Sequence, residues 1–310
     1  MGSTKRKVDS GAAPSPGGEG WGEGALSSIR NILNYSAEHL AQAGIDTPLL
    51  DAQLLMTKVL GCAKLDIIAH PERKLSDYEQ QTFYRLLEKR ASRYPLAYIL
   101  GNKEFYGLDI EVSPGVLIPR PETELLVEEC IKRLKPSQTI KPLIADVGTG
   151  SGAISVAIAA NIPNAIIYAT EISPDALKVA RHNIENHQLT ERVHLVEGDF
   201  LEPLKSLGVE FDAIVSNPPY IPSVDIETLE PEIAVYEPRS ALDGGVDGLD
   251  AYRSIFPDAI GLLRENGFIA VEVGMGEASA VKGIAISAGY RKTAIFKDLA
   301  GVDRVVIAKK

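Results

Sequence analysis

The pattern that most constrains the fold begins after Pro119, where short apolar runs alternate with stretches of helical periodicity. Five runs are predicted to be strands, at residues 143–148, 166–171, 193–197, 211–216 and 267–273. Strands separated mostly by helices are typical of a doubly wound, mostly parallel sheet. Two later apolar runs, 293–298 and 303–308, lie close together and are expected to pair antiparallel at the sheet edge. The sequence therefore predicts an α/β domain over residues 119–310.

A smaller domain is predicted ahead of the sheet, because residues 25–95 have helical periodicity. Leu26, Ile29 and Leu33 recur at intervals of three and four residues, and Ser76–Glu79 has the spacing of a capping box. We interpret this region as a small helical bundle that docks the substrate. It carries no catalytic constellation of its own.

Two further segments complete the predicted organisation. Residues 96–118 alternate apolar and polar positions with Gly and Pro between them, as expected of a short hairpin that links two domains. Residues 1–24 are rich in Gly, Ser and Pro and lack periodicity, so we expect a disordered tail to which we assign no function.

Composition excludes several classes of protein. Of the 310 residues 45% are hydrophobic, as in ordinary globular proteins, and no apolar run approaches the roughly 18 residues of a membrane span. The net charge of −10 argues against bulk binding of nucleic acid, because phosphate neutralisation needs a basic surface. Cys62 and Cys130 are too few for a zinc-thiolate or disulfide framework. We expect a cytoplasmic protein, with an organelle as the alternative, that binds no membrane and no nucleic acid directly.

Three strand ends carry residues suited to a nucleoside cofactor. The glycine loop Asp146–Gly152 follows the first strand and opens a helix, so a ligand can lie against the loop and the helix N-terminus. Glu171 ends the second strand, where a carboxylate can accept both ribose hydroxyls. Asp199 and Phe200 follow the third strand, where the acid could bind the adenine amine and the ring could pack on adenine. The candidate cofactor residues are Gly148, Thr149, Gly150, Ser151, Gly152, Glu171, Asp199 and Phe200.

Each of these features also has a simpler interpretation. A glycine loop alone suits a dinucleotide, another adenosine ligand or a tight turn, and Glu171 and Asp199 could be solvated carboxylates. Nucleoside binding is favoured because all three groups occur at successive strand C-termini, where open sheets bind ligands.

The fourth strand ends in Asn217-Pro218-Pro219-Tyr220, which points to a reaction. Two consecutive prolines lack N–H groups and leave their carbonyl oxygens as acceptors. An –NH2 group could donate one N–H to Asn217 Oδ1 and the other to the Pro218 carbonyl, while Tyr220 lies flat against a planar amide or base. We therefore take Asn217, Pro218 and Tyr220 as candidate catalytic residues, and Asn217–Tyr220 as the candidate substrate site. The alternative is a proline-rich turn after a strand.

Two further segments admit two interpretations each. In Leu117–Glu124, Pro121 followed by acidic residues is typical of the first turn of a helix and needs no ligand. Alternatively, Arg120, Glu122 and Thr123 line the cofactor cleft, because they lie at the join between domains, where such pockets often form. Glu237-Pro238-Arg239 either shapes a peptide entrance or makes a surface salt bridge.

The motifs resemble those of S-adenosylmethionine-dependent amino-methyltransferases, in which Asn/Asp-Pro-Pro-Tyr/Phe binds the nitrogen to be methylated. More narrowly, the chain is similar to the release-factor glutamine methyltransferases, the protein-(glutamine-N5) methyltransferases of the HemK/PrmC type. The likeness covers essentially all residues after the tail. The strings that carry it are 95–101 (PLAYILG), 104–107 (EFYG), 116–124 (VLIPRPETE), 146–152 (DVGTGSG), 217–220 (NPPY), 237–245 (EPRSALDGG) and 298–301 (DLAG).

This resemblance implies a Rossmann-like class I methyltransferase fold. It also implies methyl transfer from S-adenosylmethionine, leaving S-adenosylhomocysteine, to the side-chain amide nitrogen of glutamine in the Gly-Gly-Gln motif of peptide-chain release factors, which modulates translation termination. By matching position, Gly148–Gly152, Glu171, Phe200 and Asn217 would contact the cofactor, and Asn217–Tyr220 the glutamine. We expect a monomer whose partner is a release factor.

The mechanism expected of such a site relies on positioning. An amide nitrogen is a poor nucleophile, and the sequence offers no obvious base at the Asn-Pro-Pro-Tyr motif. We expect the proton to leave after methyl transfer. No catalytic metal is predicted, because His182, His187 and His194 show no zinc spacing with cysteine.

Other functions share some of these motifs. A methyltransferase for a ribosomal-protein glutamine would have the same cofactor loop and Asn-Pro-Pro-Tyr motif, but the LIPRPETE and EPRSALDGG strings favour release factors. An adenine-N6 methyltransferase would extrude its base into the same acceptor cluster, and the net charge argues against it. A dinucleotide dehydrogenase would leave Asn217–Tyr220 unexplained, and intact motifs disfavour a silent binding module.

Overall fold

The structure, a computed structural model, describes residues 28–135 and 141–310. The predicted tail and Leu26 lie outside the described residues. The chain divides into two compact units between Ser92 and Arg93. Within the two described ranges, no helix is long and apolar enough to cross a membrane.

The first unit is helical. Its described helices are α1 (Ile29–Gln42), α2 (Pro48–Leu60), α3 (Lys64–Ala69) and α4 (Asp77–Ala91). The capping box at the start of α4 is confirmed, because the Ser76 hydroxyl accepts from Glu79 N while the Glu79 carboxylate accepts from Ser76 N. Ile32, Leu55 and Phe83 are fully buried, so helices α1, α2 and α4 each contribute apolar side chains to the interior of this unit.

The second unit begins with a short helix and a hairpin. These elements are α5 (Leu96–Leu100), β1 (Asn102–Phe105) and β2 (Leu108–Glu111). The first residues of the segment predicted as a hairpin are thus helical, because Tyr98 and Ile99 are both buried and Gly101 ends the turn in a left-handed conformation. The hairpin turn places Tyr106 and Gly107 at positive φ, and Glu124 Oε1 accepts from Tyr106 N.

A seven-stranded sheet forms the centre of the second unit. Its strands are β3 (Leu143–Val147), β4 (Ile166–Glu171), β5 (Val193–Glu197), β6 (Phe211–Ser216), β7 (Leu263–Glu272), β8 (Lys292–Lys297) and β9 (Asp303–Lys309). Their order is β5-β4-β3-β6-β7-β9-β8. Strands β3 to β7 are parallel, whereas β9 pairs antiparallel with both β7 and β8. The predicted doubly wound sheet with an antiparallel edge is confirmed.

Helices cover both faces of this sheet. They are α6 (Thr123–Leu134), α7 (Ala153–Asn161), α8 (Pro174–Asn186), α10 (Asp250–Leu262) and α11 (Ala278–Ser287), whereas the short helix α9 (Pro231–Ala234) buries no residue. Along β3 the side chains alternate, so that Ile144 packs in the core beneath α6, α7 and α8 while Ala145 packs in the core beneath α10 and α11. The strand order reverses at β3, and ligands bind at this reversal in open α/β sheets.

The glycine loop is held by close packing at Gly152, the N-cap residue just before α7. Its φ of 83° lies in the left-handed region, and a Cβ there would stand 3.3 Å from the Cα and Cβ of Ala180 on α8. Asn183, one turn further along α8, donates to Ser151 O at 2.8 Å and exchanges hydrogen bonds with the backbone of Glu111. The loop is therefore fixed to both α8 and the hairpin.

Replacing Gly152 with Ala should lower the free energy of unfolding by about 1–3 kcal/mol, because a left-handed φ strains any L side chain and the new methyl group meets Ala180. Gly261 within α10 is a matched control: a Cβ there meets no atom within 4 Å, so Gly261→Ala should be neutral or stabilising by about 0.5–1 kcal/mol. Urea unfolding followed by circular dichroism measures both. Equal effects of the two substitutions would contradict this account of the loop.

Candidate active site

A cleft lies at the C-terminal ends of β3, β4, β5 and β6, where the sequence places its candidate residues. It brings together most of the predicted cofactor and substrate residues: Gly148, Thr149, Gly150, Ser151, Glu171, Asp199, Phe200, Asn217, Pro218 and Pro219. Two predicted residues are not part of its lining. Gly152 packs on α8 instead, and Tyr220 points its hydroxyl toward β7. Direct contacts of these two with a ligand stay predictions.

The carboxylate of Glu171 is held in place at the mouth of the glycine loop. Its Oε2 accepts from Gly150 N and its Oε1 accepts from Ser173 N, each at 2.9 Å. Because each carboxylate oxygen has more than one acceptor site, both can still receive a hydroxyl group. The side chain thus has the position and the acceptors that a ribose diol requires.

Below the loop, Asp146 is fully buried and fixes the first turn of α7. Its Oδ2 accepts from the hydroxyls of Thr149 and Ser155, both at 2.6 Å. Burial raises the pKa of Asp146 to about 6, although the two hydroxyls act in the opposite direction. The loop conformation therefore depends on polar bonds inside the protein as well as on glycine.

Two apolar residues of the cleft lining, Phe200 and Ile172, suit a planar apolar ring. Phe200 adopts a φ of 40°, a conformation that costs energy for a non-glycine residue and is often found at functional sites. Ile172 also lines the cleft and is 60% exposed. The charged side chains among the described lining residues are Glu171 and Asp199, and no lysine or arginine is among them. The cleft thus has acidic character.

The Asn217 side chain is oriented by a hydrogen bond across the cleft. Its Nδ2 donates to Thr123 Oγ1 at the start of α6, at 3.1 Å. The amide oxygen Oδ1 is therefore the atom left for a ligand, beside the carbonyl oxygen of Pro218, which also lines the cleft. Ser216, the residue before, anchors the strand end by donating to Val147 O at 2.7 Å. That the end of β6 presents these acceptors to a ligand stays a prediction.

Segment 221–249 packs directly against the Asn-Pro-Pro-Tyr motif. Ile221 exchanges backbone hydrogen bonds with Leu242 and Gly244, at 2.9 Å each. A Cβ on Gly244 would stand 2.8 Å from the Cα of Tyr220, so only glycine fits there. Residues 242–244 of the EPRSALDGG string thus pack against the backbone at Tyr220 and Ile221.

Glu237 is engaged inside the protein rather than in a surface salt bridge, and a role of its segment in shaping a peptide entrance stays a prediction. It is buried, its Oε1 accepts from Arg120 at 2.5 Å, and its Oε2 accepts from Ile118 N at 3.1 Å. Burial raises the pKa of Glu237, and Arg120 opposes that shift. This is an internal pair that joins the LIPRPETE string to the EPRSALDGG string, whereas Arg239 makes an exposed ion pair with Asp243.

Residues on both sides of this pair reach the cleft. Leu117, Pro119 and Thr123 line it from one string, and Pro238 and Ser240 from the other. Arg120 and Glu122, which the sequence placed near the cofactor as one of two interpretations, are not among the lining residues. Of these three candidates, only Thr123 reaches the cleft wall.

Glu272 is a residue that sequence reasoning missed. It ends β7 with 1% of its surface exposed, and Tyr220 donates to its Oε1 at 3.3 Å. Burial raises the pKa of Glu272 to about 7, while the nearby hydroxyls of Thr123 and Tyr220 and the charge of Arg304 lower it. The signal in the sequence is a single charge inside the apolar run GFIAVEV, which predicts a buried acid in a central strand.

Metal ligands and cysteines within residues 28–135 and 141–310 are further possible parts of the site. No group of three or more His, Cys, Asp or Glu side chains in residues 28–135 and 141–310 could hold a metal ion. Cys62 and Cys130 are free thiols, and burial raises the pKa of Cys130 to about 12. The absence of a catalytic metal stays a prediction.

Comparison with known proteins assigns the class. Residues 121–233 match the family described as methyltransferase small domain, and residues 31–101 match the PrmC N-terminal domain. The catalytic domain of hMettl16, solved in complex with MAT2A 3'UTR hairpin 6, is 20% identical and superposes with a TM-score of 0.52 over 72% of this chain and 81% of that one. That likeness supports the fold alone. The chain is an S-adenosylmethionine-dependent methyltransferase of the class I fold.

Close relatives narrow the class to one family. Release factor glutamine methyltransferase of Moorella thermoacetica is 43% identical over 91% of this chain and 98% of its own length. The proteins of the same name from Geobacter sulfurreducens and Caulobacter vibrioides are 42% and 41% identical, over 90% and 88% of this chain and 95% and 93% of their own lengths. The chain belongs to the release factor glutamine methyltransferase family.

Replacing the buried acid with its neutral isostere, Glu272→Gln, should stabilise the protein at alkaline pH. Because the folded-state pKa is about 7 against an ordinary 4.5, the folded protein holds a proton that the unfolded chain has released, and stability falls as pH rises through that interval. Glutamine does not titrate, so the variant should match the parent at pH ~4 and exceed it by on the order of 2–3 kcal/mol at pH ~8.

Urea unfolding at both pH values measures this difference. The exposed Glu265 at the other end of β7 supplies a matched control, and Glu265→Gln should change the free energy of unfolding by less than about 0.5 kcal/mol. A Glu272→Gln variant that is no more stable than the parent at alkaline pH would contradict the raised pKa.

Proposed function

We propose that this protein transfers a methyl group from S-adenosylmethionine to the side-chain amide nitrogen of glutamine in the Gly-Gly-Gln motif of peptide-chain release factors, and so modulates translation termination. One observation carries the proposal. Asn217 donates through Nδ2 to Thr123, so its Oδ1 and the Pro218 carbonyl are the polar atoms left for a ligand at the end of β6. Membership of the release factor glutamine methyltransferase family supports it.

The cofactor fits the chemistry of the cleft. Glu171 would accept the ribose hydroxyls, Asp199 the adenine amine, and Phe200 and Ile172 would pack on the adenine ring. The glycine loop Gly148–Gly152 would lie against the remainder of the cofactor, with Asn217 beside the reacting carbon. When bound, the sulfonium cofactor supplies an electrophilic methyl group.

The charge of the cleft lining favours S-adenosylmethionine over a dinucleotide as the ligand. A pyrophosphate carries negative charge that would face Glu171 and Asp199 with no lysine or arginine among the described lining residues to balance it. A sulfonium carries positive charge and is attracted by the same two carboxylates. The acidic lining therefore favours S-adenosylmethionine.

The acceptor cluster would act on the glutamine amide by orientation and by electrostatics. Asn217 Oδ1 and the Pro218 carbonyl would each accept one N–H, which directs the nitrogen lone pair toward the methyl carbon. As the methyl group moves from sulfur to nitrogen, the two oxygens would stabilise the positive charge that grows on nitrogen, and the proton would leave after the transfer. Orienting the reactants can supply about 7–11 kcal/mol in favourable intramolecular models.

The first unit is proposed to bind the body of the release factor. Its support is the match of residues 31–101 to the PrmC N-terminal domain, and the lack of a cluster of catalytic side chains among the described residues up to Ser92. We propose that docking outside the cleft selects the protein, whereas the cleft selects the glutamine.

Incubation with labelled S-adenosylmethionine tests the substrate directly. We expect the label on release factor, at the glutamine of the Gly-Gly-Gln motif by tandem mass spectrometry, and none on ribosomal protein or on DNA. A release factor in which that glutamine is replaced serves as the control and should take up no label. Methyl groups only on a ribosomal protein or only on adenine would overturn the proposal.

Asn217→Ala should lower kcat by about 100-fold or more, because it removes one of the two oxygens that stabilise charge on nitrogen. The Kd for S-adenosylmethionine, measured by calorimetry, should change much less. Asn161 at the end of α7 bonds only within its own helix, so Asn161→Ala is the matched control and should keep the parental kcat. A near-normal kcat in Asn217→Ala would remove the proposed role.

A further inference from the structure

One asparagine on α8 connects the glycine loop to the β1–β2 hairpin. Asn183 Nδ2 donates to Ser151 O at 2.8 Å and to Glu111 O at 2.9 Å, while its Oδ1 accepts from Glu111 N at 2.8 Å. The side chain is 1% exposed. Its two N–H groups and its oxygen therefore each have a backbone partner, and two of the three bonds go to the hairpin.

These backbone partners determine which way the amide points. Glu111 N can only donate, and the carbonyl oxygens of Glu111 and Ser151 can only accept. An Asn183 amide turned over would place oxygen against oxygen and one N–H group against another. Of the side chains with the same shape, aspartate offers no donor and leucine offers neither donor nor acceptor. The three bonds therefore require the amide of asparagine at this position.

The carbonyl that Asn183 holds belongs to the wall of the cleft. Ser151 lines the cleft and is 3% exposed, and the next residue, Gly152, donates its N–H to Thr149 O at 2.9 Å. The peptide group between Ser151 and Gly152 is therefore fixed at its oxygen by α8 and at its nitrogen within the loop. Loss of the bond from Asn183 would leave a buried carbonyl without its partner, which costs free energy and favours other conformations of the loop.

The other end of the link is the β1–β2 hairpin, which also reaches the cleft. Phe105, the last residue of β1, lines the cleft with 1% of its surface exposed. Glu111, the last residue of β2, lies opposite Asn102 on β1, and both of its backbone polar groups bond to Asn183. Asn183 thus pairs with β2 as a residue of a neighbouring strand would. A shift of the hairpin would therefore move the side chain that holds Ser151.

We propose that Asn183 is a positioning residue for the cofactor, which holds the glycine loop in the conformation that binds S-adenosylmethionine and makes that conformation depend on the β1–β2 hairpin. The inference rests on the proposed function in one respect, the placement of the cofactor against the loop. Asn183 is not among the described residues that line the cleft, so it acts through Ser151 and not by touching the ligand. The affinity for the cofactor is thus set partly from behind the cleft wall.

Asn183→Asp tests the loop end of the link, because the new side chain keeps the shape and loses both donors. The Kd for S-adenosylmethionine, measured by calorimetry, should rise by about tenfold or more, since only a fraction of the variant has the loop conformation that binds. With release factor as substrate, kcat at saturating cofactor should change by less than about threefold, so that the loss falls on KM for the cofactor. A parental Kd in Asn183→Asp would overturn the proposal.

His187→Ala is the matched control for a general loosening of α8. His187 follows α8, and its Nε2 lies 2.9 Å from Asp109 O on β2, so the substitution removes a contact between the same helix and the same strand that does not reach the loop. The Kd for S-adenosylmethionine should stay parental. A loss in His187→Ala equal to that in Asn183→Asp would overturn the assignment to Asn183.

Glu111→Pro tests the hairpin end of the link while Asn183 is intact. Proline lacks the N–H that Asn183 Oδ1 accepts, so the Kd for S-adenosylmethionine should again rise by about tenfold or more. Glu111→Ala is the matched control, because it keeps the backbone bonds and removes only the carboxylate that contacts His182 at 3.0 Å. A parental Kd in Glu111→Pro, or an equal loss in Glu111→Ala, would overturn the dependence on the hairpin.

Hydrogen exchange in the unliganded protein gives a readout that needs neither cofactor nor release factor. The backbone amides of residues 148–152 should exchange faster in Asn183→Asp and Glu111→Pro than in the parent, and at the parental rate in His187→Ala and Glu111→Ala. Parental exchange in Asn183→Asp would overturn the link. A protein that shows these differences in exchange and in Kd but leaves release factor unmethylated would refute the proposed function alone.

Discussion

The hydrogen bond from the Asn217 side-chain amide to the Thr123 hydroxyl determines what the end of β6 offers to a ligand. A side-chain amide can present either a carbonyl or an amino group, and the backbone beside it cannot compensate, because Pro218 and Pro219 have no N–H. With Nδ2 engaged on Thr123, the Asn217 side chain has only its amide oxygen left for a ligand. The proposed recognition of an –NH2 group, as opposed to an anion, depends on that orientation.

Two of the strings that carry the resemblance, LIPRPETE and EPRSALDGG, hold the Asn-Pro-Pro-Tyr motif in place. Thr123 comes from LIPRPETE, and the ion pair between Arg120 and the buried Glu237 fixes that string to EPRSALDGG. Gly244 in the latter leaves room for the backbone of Tyr220. A rigid site reduces the reorganisation needed when charge develops on the reacting nitrogen, so the surrounding structure contributes to the chemistry without touching the substrate.

Much of the fold could be predicted from sequence because central parallel strands are buried on both faces and appear as short apolar runs. The helices α3 and α5 escaped prediction because segments of six and five residues are too short to show a helical period. The candidate acceptors could be proposed from sequence because they all belong to one tetrapeptide, Asn217–Tyr220, whose residue types indicate their hydrogen-bonding groups. Thr123 and Asn217 are 94 residues apart, and Glu237 and Arg120 are 117 apart, so their contacts depend on the tertiary fold.

Glu272 shows a different limit. A single acid within an apolar run does not change the prediction of a buried strand, and so it attracts no attention. Burying a carboxylate nevertheless costs free energy, which makes such an acid informative. Only the positions of Thr123 and Tyr220 give that acid a chemical context. The same applies to the acidic lining of the cleft, which depends on which side chains from four strand ends share one space.

A crystal structure with S-adenosylhomocysteine and a Gly-Gly-Gln peptide is the most direct measurement of the central claim. We expect the glutamine Nε2 to lie within about 3 Å of both Asn217 Oδ1 and the Pro218 carbonyl oxygen, with Asn217 Nδ2 still hydrogen-bonded to Thr123. A glutamine whose amide nitrogen lies outside hydrogen-bond distance of both oxygens, or that faces Asn217 Nδ2, would contradict it.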